Sequence, residues 1–251
     1  MTSSSPVSDA PKKKAKKQLP LWQETILLLG LALVLAIVLK AFFIQAFYIP
    51  SESMEPGLVE NDRILVEKPS YWGDGPERGD VVVFKDPGGW LSPADSAGPT
   101  NPLAQVMVKI GLYPEGGHLV KRVIGVEGDT VSCCDKQGRV SVNGEPLDEA
   151  SYVKKSPGMT CNGPMVNDCA RPWKAGPIPE GRIFVMGDNR ARSADSSAHL
   201  CDATMETDCT NAGAFVPTDL VVGKVFVLLW PRERFSWLAR PDTFADVPDA
   251  S

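Results

Sequence analysis

The run Leu21–Phe47 constrains this chain more than any other stretch. Its segment Ile26–Phe47 is 22 residues long, about 33 Å as a helix, which matches the hydrocarbon thickness of a bilayer. Trp22 and Tyr48 bracket it as interfacial anchors, and Lys40 and Gln45 lie near the outer end, where long side chains reach the headgroups. Ahead of it, residues 1–20 hold Pro6, Pro11, Pro20 and the lysines 12–14, 16 and 17. They read as a disordered basic arm that marks the cytoplasmic side. A cleaved export signal fits less well. The apolar stretch Ile26–Leu39 is longer than most, and Phe42, Phe43 and Phe47 crowd the candidate cleavage positions. The expectation is one uncleaved anchor, N-terminus inside, with the rest of the chain outside a cell membrane.

Charge supports that division. The chain carries −5 in total; five lysines and one aspartate give the arm about +4, leaving about −9 on the remainder. An acidic body excludes nucleic acid as the main partner, and a basic arm suits an anionic membrane surface. The expected organisation is an arm (1–20), an anchor (21–47), an extracytoplasmic domain (48–240) and a tail (241–251).

Beyond the anchor, short runs rich in β-branched and aromatic residues alternate with Gly, Pro, Asp and Asn. They are Arg63–Glu67, Asp80–Phe84, Leu119–Val126, Thr130–Ser132, Arg139–Asn143, Arg182–Met186 and Val221–Trp230. Asn143-Gly144 signals a hairpin. Pro102–Leu112 is the one weak helical stretch. The fold class is mainly β: an antiparallel sheet or barrel-like domain after one transmembrane helix, with long insertions over 86–117 and 152–180.

All six cysteines follow the anchor, which suits disulfides in an oxidising compartment. Spacing makes Cys161–Cys169 and Cys201–Cys209 loop clips and leaves Cys133 and Cys134 unassigned. With two histidines and no paired CxxC spacing, no metal site or cofactor is expected.

Three stretches carry chemistry. Ile49-Pro50-Ser51-Glu52-Ser53-Met54-Glu55-Pro56 is a stiff loop, because each proline fixes its own φ and extends the residue before it. Such a loop can aim a hydroxyl, though it also reads as a hinge. Lys121 lies in an apolar strand, on one face with Leu119 and Val123, while Arg122 faces the other way with Val120 and Ile124. Burial there lowers an amine's pKa and makes it a general base, although a lone strand lysine more often reaches solvent. The stretch Met186–Ser196 ends a strand in a Gly-Asp-Asn turn followed by close-set polar groups.

Taken in order, Pro50–Pro56, Arg78–Phe84, Lys121–Gly125 and Gly187–Arg190 with Ser193–Ser196 resemble the motif set of bacterial type I signal peptidases over residues 20–232. The resemblance implies a membrane-anchored endopeptidase that removes signal peptides from exported preproteins after small residues. Ser53 would be the nucleophile and Lys121 the general base. Ser51, with the Ser53 backbone N–H, would form the oxyanion hole. Ser193 would orient the lysine, Asp195 and Asp188 would support that loop, and Arg122 would be structural. Met54 is a candidate to line the substrate pockets. Expected partners are signal peptides, the phospholipid bilayer and, as a further candidate, the export translocon. One departure is visible: Ser197 stands where a basic residue often follows the Ser-x-Asp-Ser element.

Other chemistries fit worse. A Ser-His hydrolase would recruit His118 or His199, and neither sits in a motif that does so. A membrane-anchored binding module would need neither Ser53 nor Lys121.

Overall fold

The computed structural model describes residues 20–96, 98, 101–103, 105, 116–155, 161, 172–201 and 211–250. The basic arm before Pro20, the Lys40 side chain, Cys169, Cys209 and most of 102–112 lie outside the described residues. The chain divides into two units, 1–38 and 39–251.

Helix α1 (Leu21–Phe42) carries the apolar run. Its leucines, isoleucines and valines are exposed on every side, for example Leu29 at 65 % and Leu33 at 63 %. A helix apolar all round suits lipid, not an aqueous surface. The helix is shorter than the expected anchor. Ile44–Tyr48 is strand β1, paired along its full length with β2 (Arg63–Glu67). Hydropathy sums over this segment without seeing its change of period, since β-branched and aromatic residues suit a pleated edge as well as a membrane.

The second unit is mainly antiparallel β, as the runs predict. The further strands of the main sheet are β3 (Val81–Lys85), β4 (His118–Gly125), β9 (Arg182–Met186), β10 (Val216–Pro217), β11 (Val221–Trp230) and β12 (Ser236–Trp237). Among the described residues its order is β1-β2-β11-β3-β4-β9-β10, with β12 on β11. The sheet curls as a half-barrel. A smaller sheet runs β7-β6-β5-β8, from β5 (Val131–Cys133), β6 (Val140–Val142), β7 (Glu145–Pro146) and β8 (Trp173–Ala175). The expected hairpin is the β6–β7 turn, where Asn143 (φ 52°) and Gly144 (φ 86°) take the left-handed backbone that such turns require.

Three buried clusters hold this unit together. One packs Met54 and Leu58 against Ile64, Val66, Val225 and Leu228. A second packs Val82, Phe84, Leu119 and Val123 around Trp90. The third fills the space beside the small sheet with Ile124, Val140, Phe184 and Phe215, and it includes Phe244 and Val247. The segment expected as a tail is therefore part of the core, with both residues 7 % exposed. Arg240 binds Asp80 and Glu77 beside it, and the Asn143 side chain donates to the Pro248 carbonyl at 2.9 Å. Two isolated apolar residues have no periodicity to announce them.

Cys133 and Cys134 are joined to each other, the pair that sequence spacing leaves unassigned. Cys161 and Cys201 are also disulfide-bonded. The expected clips Cys161–Cys169 and Cys201–Cys209 each reach outside the described residues.

Candidate active site

The Pro-rich loop links β1 to β2 and turns through a 3-10 segment at Glu52–Met54. The loop is held at both ends. The Ile49 N–H donates to the Asp62 carbonyl and the Asn61 N–H to the Ile49 carbonyl, both at 2.9 Å, and Met54 is 1 % exposed beneath the turn. Met54 thus sits in the core, under the site. Arg234 adds bonds to Asp62 and to the Gly57 carbonyl.

Ser53 and Lys121 meet across this loop. Lys121 Nζ lies 2.6 Å from Ser53 Oγ, and Ser51 Oγ is 3.3 Å from the same hydroxyl. Lys121 is on β4 directly opposite Val82, and only 4 % of it is exposed. Burial brings its pKa down to about 8, while the charges of Asp195 and Asp188 push it back up. A lysine of this kind is largely a base at mildly alkaline pH.

The turn after β9 supplies the second wall. Among the described residues Asp195 accepts four hydrogen bonds, all from neutral donors. The Gly187 N–H (2.8 Å) and Ser193 Oγ (2.6 Å) reach Oδ2, and the Ser197 N–H (3.1 Å) and hydroxyl (2.5 Å) reach Oδ1. Ser197 therefore satisfies the carboxylate where a basic side chain was the familiar partner. Ser193, expected on the lysine, gives its proton to Asp195; no Ser193–Lys121 hydrogen bond occurs among the described residues.

Arg122 points away from the dyad, as strand alternation predicts. Its guanidinium forks onto Asp188 at 2.8 and 2.6 Å, donates to the Gly79 carbonyl at 2.9 Å and stacks over Tyr152 at 4.5 Å. A bidentate arginine–carboxylate pair fixes both partners in one plane.

Several contributors escape sequence reasoning. Arg190 is 1 % exposed and pairs with Glu149 at 2.5 Å, while its Nε donates to the Gly187 carbonyl. Gly187 itself has no room for a side chain: an added Cβ would lie 2.3 Å from Ser193 Oγ and 2.5 Å from the Ser53 carbonyl oxygen. Asn189 donates its backbone N–H to Ser53 O and its side-chain amide to Glu52 O, both at 3.0 Å. The motif contains Gly187, Asn189 and Arg190, but the contacts of Gly187 and Asn189 with the Glu52–Ser53 turn cross more than 130 residues, and Glu149 lies outside the motif altogether. No local pattern encodes them.

Neither histidine joins the dyad. His199 Nδ1 lies 2.8 Å from the Asp195 carbonyl and its ring stacks on Trp90 at 4.4 Å; His118 packs its ring against Phe47.

The family model for signal peptidases, peptidase S26, matches residues 22–230. The chain belongs to this signal peptidase family. It is 38 % identical over 237 residues to the probable signal peptidase I of Mycobacterium leprae, covering 88 % of this chain and 80 % of that one. Signal peptidase I of Mycobacterium tuberculosis is 37 % identical over 243 residues, with 91 % and 78 % covered. That of Leptolyngbya laminosa is 32 % identical, with 97 % and 96 % covered. As a signal peptidase of family S26, the chain is a serine endopeptidase of a class that works with a serine and a lysine.

Proposed function

We propose that Ser53 is the nucleophile and Lys121 its general base, cleaving signal peptides from exported preproteins after small residues. The observation that carries this is the 2.6 Å contact between Lys121 Nζ and Ser53 Oγ with the lysine buried. Neutral Lys121 takes the Ser53 proton as Oγ attacks the scissile carbonyl carbon. The resulting ammonium then protonates the departing amine. Water, deprotonated by Lys121 in its turn, hydrolyses the acyl-serine. The Ser53 N–H and the Ser51 hydroxyl are assigned to the oxyanion. Asp195 and Asp188 hold the lysine's surroundings, Ser193 acts on the lysine through Asp195, and Arg122 anchors Asp188. Met54 packs under the nucleophile turn and enters the pockets only as their buried floor.

The substrate path follows from the sheet. Among the described residues, β4 is paired on the β3 side from His118 to Arg122 and on the β9 side only from Arg122 onward. Val123 exchanges hydrogen bonds with Gly79 and Asp80 on the β3 side. By period two, Lys121 and Leu119 direct their backbone groups that way, and Val120 directs its groups to the unpaired side. An extended signal peptide adding to this edge would run past Ser53. Helix α1 is assigned as the membrane anchor, with the N-terminus cytoplasmic and the sheet domain outside; the bilayer, and the export translocon as a further partner, follow from that assignment.

The test is cleavage of a membrane-embedded precursor by wild type, Ser53→Ala, Lys121→Ala and His199→Ala. The expected result is loss in the first two variants and retention in the third. Activity that survives Lys121→Ala would overturn the assignment.

A further inference from the structure

We propose that Asn189 is the positioning residue of the oxyanion hole, acting on the Ser53 N–H from the opposite end of its own peptide unit. This rests on the assignment of that N–H as an oxyanion donor. A peptide unit is rigid and planar, with its C=O and N–H directed oppositely. Whatever holds the Glu52 carbonyl therefore aims the Ser53 N–H.

Among the described residues two donors hold that carbonyl: Asn189 Nδ2 at 3.0 Å and the Glu55 N–H at 3.1 Å. A carbonyl oxygen has two lone pairs, so the Glu52 oxygen is saturated. A carbonyl can only accept, which identifies the Asn189 atom facing it as the amide nitrogen. Hydrogen bonds in series polarise one another, so a saturated carbonyl makes the N–H of the same unit a stronger donor. The next peptide unit is fixed as well, because the Asn189 backbone N–H holds the Ser53 carbonyl at 3.0 Å.

Asn189 is itself immobilised. It is 1 % exposed, and its neighbours Asp188 and Arg190 are pinned by the buried pairs with Arg122 and Glu149. Its Oδ1 is buried without a hydrogen-bond partner among the described residues. An apolar residue would avoid the cost of that stranded oxygen. The amide is therefore present for its donor, and the donor goes to the nucleophile turn.

The experiment uses the full-length protein with a membrane-embedded precursor, comparing wild type, Asn189→Ala and Asn189→Asp, with Ser53→Ala and Lys121→Ala alongside. Binding of an Ala-x-Ala peptide aldehyde, whose adduct with Ser53 carries an oxyanion, is compared with that of the matching peptide amide. In the Asn189 variants kcat should fall roughly 10–100-fold with KM held within about threefold. Aldehyde affinity should fall with kcat, amide affinity should stay, and in Asn189→Ala, which adds no charge, the acid limb of the pH profile should not move. Equal loss of both probes, a rise in KM alone, full activity, or a shifted acid limb in Asn189→Ala would overturn the proposal. If Asn189→Ala does not fold, the similarly sized Asn189→Asp, which lacks the amide donor, is read in its place. Activity in Ser53→Ala or Lys121→Ala would instead overturn the underlying assignment, so the two failures are separable.

Discussion

Lys121 Nζ lies 2.6 Å from Ser53 Oγ although 68 residues separate them in the chain. With its pKa lowered to about 8 by burial, Lys121 is neutral in roughly a tenth of molecules at pH 7 and in most above pH 9. The value of kcat/KM should rise about tenfold per pH unit below pH 8 and level off above it. A pH–rate profile on a peptide without titrating groups checks this.

Buried Lys121 should also cost stability. Its folded pKa, about 8, lies below its ordinary 10.5. The unfolded chain therefore binds more protons between those values, and stability rises with pH across that window. Lys121→Met removes the penalty. It should be inactive yet more stable than wild type by on the order of 2 kcal/mol at pH 7. The difference should shrink as pH rises through the window, which thermal melts at several pH values would reveal.

Gly187→Ala should cost about 10²-fold in kcat, the scale for a small misplacement of reacting groups. The new methyl would overlap Ser193 Oγ and the Ser53 carbonyl, both of which belong to the site. Single-turnover cleavage would separate this loss from any change in binding.

Asp188→Asn should act in two places. The Asp188 charge raises the Lys121 pKa, so its removal should move the acid limb to lower pH. Buried Arg122 loses its counter-ion, which should lower stability by about 3 kcal/mol. The pH profile and denaturant unfolding report the two effects independently.

Phe244→Ala should destabilise the domain by about 3–5 kcal/mol, because the ring is 7 % exposed within the core. A true tail would tolerate the change. Urea midpoints of the variant and wild type decide it.

The sequence made much of this visible where the signal was local or ordered. The strand runs, the Asn143-Gly144 hairpin and the facing of Lys121 against Arg122 follow from period two, and the ordered motifs led to the family. What stayed hidden depends on contacts between distant segments. Ile44–Tyr48 satisfies a membrane pattern and a strand pattern equally, and its pairing with β2 decides between them. Phe244 and Val247 become core only because the chain returns to the small sheet. The Ser193 proton goes to Asp195, a choice set by a carboxylate that also gathers Gly187 and Ser197. No local pattern announces Glu149 as the partner of Arg190.

The place of β11 has a consequence for timing. The loop bearing Ser53 joins β1 to β2, and Lys121 rides on β4 beside β3, yet among the described residues β2 and β3 are not paired with each other. They are joined through β11, made from Val221–Trp230. Until that strand has been synthesised and has inserted between them, no strand pairing joins the part of the sheet that carries the serine to the part that carries the lysine. The complete sheet that sets the distance between serine and lysine is thus expected only once Trp230 has been synthesised.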